Sequence, residues 1–293
     1  MPLHRIGYPC VSLLLGRTTN HDCTLRTATP EKLRALIRQN LDDLRAILAH
    51  NLAHGWRLFR VGSSVIPFGS HPANGICWWD EFRADLREIG ALVRAEGMRL
   101  SFHPGQYTVL NSPDPAIVAR AVDEIAYSAR FLSELDLDFS HKIVVHLGGS
   151  YGDKAAAIDR FCETVDGLTP DLRRRLVIEN DERSYTPADA LAVSQRTGLP
   201  VVFDNLHYVA NPGPGALDDL LGAIFATWRA EDGPPKVHFS SQVSGRRLGN
   251  HAAGADPADF KTWVERWSWH GEFDLMLEAK EKDKALLELE SHL

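Results

Sequence analysis

Histidines and carboxylates recur in this chain at one kind of place, the end of a short apolar run. His103 closes MRLSFH, His146 lies in KIVVHLG, Glu179 in LVIEND and Asp204 in PVVFDN, with His207 three residues on. His238 lies in KVHFSS and Glu278 in FDLMLEA. Two more histidines, His71 in PFGSHP and His251 in GNHAAGADP, fall in the segments that follow such runs. Taken singly, each is better read as an ordinary hydrogen-bonded strand-end residue. Together, six histidines and three carboxylates in equivalent positions would be a costly set of buried polar groups unless something bound among them.

Neutral imidazole and carboxylate are the usual ligands of manganese, zinc and iron, and carboxylates bring the negative charge a dication needs. Nine candidates exceed the roughly three or four protein ligands of one catalytic ion, so two or three ions sharing a site are expected. A site of that kind suits phosphodiester hydrolysis, with hydroxide made from bound water near neutral pH and charge stabilised on the departing oxygen. Lys236 stands two residues before His238, so the period of a strand puts both on one face. From spacing alone it is either a surface lysine at a strand start or a lysine at the metal centre, where a dication would depress its pKa. On the segment after His103, Pro104 and Gly105 break the chain and Gln106 and Tyr107 follow at once. That pair is either a solvated loop with a half-buried tyrosine or a probe for a flat substrate.

The elements that must position these groups are legible as alternating short apolar runs and amphipathic stretches. Strands are expected at residues 4–10, 56–62, 98–103, 142–148, 176–181, 200–205, 236–241 and 273–279. Between them lie helical patterns such as PEKLRALIRQNLDDLRAILAHNL, WDEFRADLREIGALVRAEG, PAIVARAVDEIAYSARFLSEL and PADALAVSQRTG. Several open on Pro beside a Thr, Ser or Asp cap, and some close at glycines such as Gly97 and Gly198. Eight βα units at a spacing of roughly 35 residues are what a (β/α)8 TIM barrel needs, and nothing divides the series, so residues 1–293 read as one barrel domain. The local signal is shared by an open doubly wound sheet. In a barrel, all nine candidates would converge on the C-terminal rim of the strands, where such folds carry their active sites.

Bulk properties narrow the classes further. At 293 residues, 44% hydrophobic and 24% charged, the chain can bury a large core and disorder is excluded. A net charge of −7 does not advertise a nucleic-acid partner, so any DNA contact needs a local basic surface. Cys10, Cys23, Cys77 and Cys162 are widely spaced and form neither a zinc-finger pattern nor a disulfide framework. With no signal-peptide pattern and no long apolar run, a soluble cytoplasmic protein without a membrane partner is expected.

The motifs resemble those of the UV damage endonucleases, DNA repair enzymes related in fold to the endonuclease IV type of abasic-site nuclease. The matching stretches are GYPC (7–10), TTN (18–20), IPFGSHP (66–72), SFHPGQY (101–107), VVHLGGSYGDK (144–154), IENDER (178–183), VVFDNLHY (201–208), KVHFSSQ (236–242) and LEAKEKD (277–283). They cover essentially the whole chain. The resemblance implies a TIM barrel with divalent ions, typically manganese, with zinc, magnesium or cobalt as alternatives. The implied reaction nicks damaged double-stranded DNA immediately 5′ to cyclobutane pyrimidine dimers and 6-4 photoproducts, and at some abasic sites, leaving a 3′-hydroxyl and a 5′-phosphate. The implied metal ligands are His71, His103, His146, Glu179, Asp204, His207, His238, His251 and Glu278. Lys236 corresponds to a lysine at the metal centre that can be carboxylated, Gln106 and Tyr107 to a damage-probing pair, and Tyr8 to a tyrosine near the lesion. Ser12 stands where the family has asparagine, a shorter group without the amide's paired donor and acceptor.

A DNA substrate would be met by extruding damaged nucleotides, with Tyr107 stacking on exposed base faces and Gln106 bonding unpaired base edges. Arg17, Arg60, Lys154, Arg183, Arg246 and Arg247, in the βα loops, are expected to meet phosphates. A monomer associated with the nucleoid is the expected working form. The alternatives are an abasic-site endonuclease without photoproduct activity, a metal-dependent sugar isomerase on the same fold, for which nine ligands are too many, and a non-catalytic DNA-binding module.

Overall fold

The structure is a computed structural model and describes residues 2–291. Eight parallel strands close into a barrel: β1 (Leu3–Pro9), β4 (Leu58–Arg60), β5 (Arg99–Phe102), β6 (Lys142–His146), β7 (Leu176–Glu179), β8 (Val201–Asp204), β9 (Lys236–Phe239) and β10 (Phe273–Leu277). They pair in chain order from β4 to β10, and β1 closes the ring between β10 and β4. Two short strands, β2 (Val11–Ser12) and β3 (Arg17–Thr18), form an antiparallel ribbon above β1. This is a (β/α)8 TIM barrel, and all eight expected strands are present, the first shifted by one residue and the other seven shortened.

Strands buried on both faces by parallel pairing read as continuous apolar runs, which is why they were visible in the sequence. The outward residues, among them Phe59, Leu100, Phe102, Ile143, Ile178 and Phe203, pack under the surrounding helices in one large core. The helices begin where a cap and a proline coincide. Thr29, Asp114, Thr186 and Asp256 each accept a backbone N–H from the first turn, and Pro30, Pro115, Pro187 and Pro257 follow them. The helix expected over 79–97 is broken at Phe82 into Trp78–Glu81 and Arg83–Ala95. No helix among the described residues is long and apolar enough to cross a membrane.

The barrel interior is layered by the period-two alternation of the strands. The N-terminal end carries charge: Arg99 donates to Asp274 at 2.7 Å, and Lys142 pairs with Asp232. The middle is apolar, with Val144, Val177 and Val202 in contact. One step further toward the C-terminal end, the same inward faces present His146, Glu179 and Asp204. The alternation thus delivers the polar residues to one rim.

Candidate metal centre and active site

Glu179 is the hub of that rim. Its side chain is 1% exposed and lies against four imidazoles. His103 Nε2–H donates to Glu179 Oε2 at 2.9 Å, and His238 Nδ1–H donates to Oε1 at 2.6 Å. His146 Nε2 stands 3.7 Å from Oε2, and His207 Nδ1 3.8 Å from Oε1. Among the described residues three groups could hold a metal ion: His103, His146 and Glu179; Glu179, His238 and Glu278; and Glu179, Asp204 and His207. The chemistry of the site fits such ions. Donors bound at about 2.0–2.2 Å to one ion are themselves about 3–3.6 Å apart, close to the separations seen here. His103 Nδ1, His146 Nδ1 and Asp204 Oδ2 are buried without a hydrogen-bond partner, which is expensive unless something else satisfies them.

Electrostatics favour a cation in the same place. Burial holds the His146 pKa down at about 4, so its ring is neutral and its lone pair available. At His207 burial also opposes charge, but Asp204, Glu179 and Glu278 outweigh it and push the pKa up to about 9. Burial likewise disfavours ionised Glu179, yet His238 and His146 hold its pKa well below the usual carboxylate range. Further contacts orient the ligands. Asn180 Nδ2 donates to Asp204 O at 3.1 Å, and its carbonyl accepts from His207 Nδ1 at 2.9 Å. His251, on the loop after β9, is held through Nδ1 by Ser240 Oγ (2.8 Å) and Glu278 O (2.9 Å).

His251, His103, His146 and Glu278 line one cleft of ≈ 520 Å³, and Gln106 forms part of its wall. Gln106 is exposed and also borders a second hollow of ≈ 250 Å³ with Asp181 and Arg183. Tyr107 beside it is 84% exposed. A model of the UV-endonuclease UvdE family matches residues 5–293. The chain belongs to that family. A UV DNA damage endonuclease of Clostridium perfringens is 38% identical over 95% of this chain and 68% of that protein. One from Bacillus cereus is 37% identical over 88% and 82%. A crystal structure of SacUVDE superposes with a TM-score of 0.92 at 34% identity, covering 97% of this chain and 96% of that one. D-Psicose 3-epimerase from Clostridium cellulolyticum H10, at 14% identity over 81% of this chain and 80% of that one, with a TM-score of 0.54, shares the fold.

Family membership makes the chain an endonuclease of damaged DNA, with this rim as its candidate active site, and the structure departs from expectation at several of the expected residues. Tyr8 does not reach the cleft. It is fully buried on the outer side of β1, edge-on to Trp56 and Phe59, and its hydroxyl donates to Asn51 Oδ1 at 2.7 Å. Ser12 is fully buried too, its hydroxyl given to Asp283, so it ties the β2–β3 ribbon to the C-terminal helix instead of facing a lesion. His71 stands apart from the three ligand groups; its exposed ring accepts the Ala73 N–H at Nδ1 (3.0 Å). Lys236 faces inward one step below His238, 1% exposed, with no hydrogen-bond partner for its Nζ. Burial, with Arg99 nearby, lowers its pKa well below that of an ordinary lysine.

Among the expected phosphate ligands, Arg60 is not available. It is buried, forms an ion pair with Glu278 at 2.6 Å and donates to His238 Nε2 at 2.9 Å. Lys154 is paired with Asp189, Arg17 with Asp43 and Arg183 with Glu182, each with its side chain 40% exposed or more. Arg246 and Arg247 are exposed at the tip of the loop between Gln242 and His251, which Gln242 braces through bonds to the Val243 and Arg247 carbonyls. Asn180 and Ser240 carry no signal of their own in the sequence, because what they do depends on contacts made across the rim.

Proposed function

We propose that this chain is a metal-dependent DNA repair endonuclease that cuts the backbone immediately 5′ to cyclobutane pyrimidine dimers and 6-4 photoproducts, leaving a 3′-hydroxyl and a 5′-phosphate. Abasic sites belong to the same substrate range, and the working form is a monomer on double-stranded DNA. The observation that carries the reading is the joining of three ligand groups through Glu179 beside a cleft whose wall includes Gln106, with Tyr107 exposed next to it in the chain. His103, His146, Glu179, Asp204, His207, His238 and Glu278 would hold two or three divalent ions, manganese first among them, with His251 at the edge. When bound, such ions supply hydroxide from water near neutral pH and stabilise the leaving oxygen.

The protein's own groups do the rest. Asn180 fixes the orientation of Asp204 and His207, and the Ser240 hydroxyl fixes that of His251. Arg60 offsets part of the carboxylate charge at Glu278. Lys236 is retained as the lysine at the metal centre, since its unpartnered buried Nζ points to a group that works in the neutral state. Tyr107 and Gln106 would fill the space left when damaged nucleotides are extruded. Extrusion costs a few kcal/mol and costs least at an already distorted site, which yields selectivity without sequence reading.

The test is to map the cut on a duplex with one thymine dimer and an end-labelled damaged strand. The expected product ends at the nucleotide 5′ to the dimer and is extended by a DNA polymerase without end trimming. A cut 3′ to the dimer, or a blocked 3′ end, would refute it.

A further inference from the structure

Two lysines on the wall of the cleft, the exposed Lys280 and the half-buried Lys282, make no side-chain hydrogen bond or ion pair among the described residues, and of the two Lys282 is the one held in place. Lys282 and Cys10 line the same ≈ 520 Å³ space as His103, His146 and Glu278. Both hold left-handed backbone, with φ of 52° at Lys282 and 67° at Cys10, a region that residues with a Cβ avoid. The surroundings of Lys282 enforce it. The backbone N–H groups of Lys280 and Glu281 donate to Ala252 O (3.1 Å) and Ala253 O (2.9 Å), and that of Lys282 to Ala279 O (3.2 Å). On the other side the buried Asp283 accepts from the Ser12 hydroxyl, Leu13 N (2.8 Å) and Leu14 N (3.2 Å). Strain that neighbours over-determine in this way gathers at ligand clamps.

The charges around Lys282 point the same way. Arg60, also in the cleft, is spent on Glu278 and His238. The Lys282 ammonium makes no hydrogen bond among the described residues, and burial lowers its pKa against the pull of Cys10 and Glu278. An acidic protein that binds DNA must concentrate cations where the backbone lies, and a lysine is a mobile point charge suited to a phosphate oxygen.

We propose that Lys282 is a positioning residue that binds a non-bridging oxygen of a backbone phosphate in the damaged strand, at or beside the scissile bond. This rests on the endonuclease reading above. The contact is electrostatic and transfers no proton.

Lys282→Met removes the charge and shortens the side chain by one atom, Lys282→Arg restores the charge, and Lys282→Gly removes both the charge and the strain. Binding of the metal-loaded protein to the nicked product duplex, followed by fluorescence anisotropy across a salt series, reads the contact without turnover. Lys282→Met and Lys282→Gly are expected to weaken binding about tenfold and to reduce the log–log salt slope by about 0.9, one phosphate's worth. In nicking assays KM should rise about tenfold for Lys282→Met while kcat stays within about twofold, and Lys282→Arg should recover most of the loss. Bound metal should match the wild type in every variant, and melting temperature in Lys282→Met and Lys282→Arg, while Lys282→Gly, relieved of the strain, should melt no lower. Unchanged affinity and salt slope in Lys282→Met would overturn the proposal, as would binding lost in step with bound metal. The wild-type protein, assayed alongside, separates the two readings: if it fails to nick damaged DNA the endonuclease reading falls, whereas a nicking wild type with an indifferent Lys282→Met removes this inference alone.

Discussion

Arg60 and Glu278, at the C-terminal ends of β4 and β10, meet at 2.6 Å inside the barrel rim, with side chains 8% and 16% exposed. A permanent cation therefore shares the carboxylates that metal ions would otherwise balance alone. Burial works against charge on Glu278, but Arg60 and His238 hold its pKa far below the usual carboxylate range. Replacing Arg60 by methionine leaves a buried carboxylate uncompensated, at a cost of about 3 kcal/mol in chelator. Metal ions should recover part of that loss, because they bind the folded state. The melting-temperature gap between metal-loaded and chelated protein is thus expected to widen in Arg60→Met, and calorimetry with and without chelator that found the wild-type gap would contradict the assignment.

Glu179 belongs to all three ligand groups, whereas His251 stands at their edge. Glu179→Gln should lower metal content at more than one site and depress the nicking rate by at least about a hundredfold. His251→Gln should lose no more than one ion. Elemental analysis after dialysis measures both, and equal metal content in wild type and Glu179→Gln would remove Glu179 from the centre.

Tyr107 is 84% exposed beside Gln106, so neither side chain holds the fold together. The double alanine variant should melt like the wild type and keep its metal. Base stacking is worth about 1–3 kcal/mol per base, so damage-selective nicking should fall about tenfold to a hundredfold. Competition between irradiated and undamaged duplexes reads the ratio, and unaltered selectivity would make the pair a plain surface loop.

His141 gives a prediction far from the metals. Its buried ring accepts the Leu100 N–H at Nδ1 (2.9 Å), and burial, reinforced by Arg99 and Arg175 against the pull of Asp138, lowers its pKa from 6.5 to about 3. The folded state refuses a proton that the unfolded chain accepts below 6.5. The stabilisation is therefore complete above about pH 6.5 and is lost as pH falls toward 3, by about 1.4 kcal/mol per pH unit. His141→Asn keeps the acceptor and removes the titration. Urea midpoints in chelator should decline less steeply for this variant between about pH 6 and pH 4, and parallel curves would show that His141 is not the group responsible.

The strands, and the seven of the nine expected ligands that the fold gathers around Glu179, were legible because both obey local rules. Parallel strands buried on two faces are apolar runs, and their period of two carries His146, Glu179, Asp204 and His238 to one side of the barrel. Residues whose partners lie far off in sequence were not legible. Ser12 is taken up by Asp283, 271 positions away, and Arg60 by Glu278 and His238. Tyr8 was misread for a different reason. It alternates with Gly7 and Pro9, and its neighbour Phe59 packs outward with it, so the same period that aims His146 into the rim aims Tyr8 out under the helices. The break at Phe82 left no clear mark, since WDEFRADLREIG carries helix-forming residues throughout.

The central claim, a metal-dependent cut directed by UV damage, is tested most directly on supercoiled plasmid: irradiated and unirradiated, each with manganese and with chelator. Irradiated plasmid in manganese should convert to the relaxed form, and the other three reactions should retain the supercoiled form. Equal nicking of irradiated and unirradiated plasmid, or nicking that survives chelator, would contradict the claim.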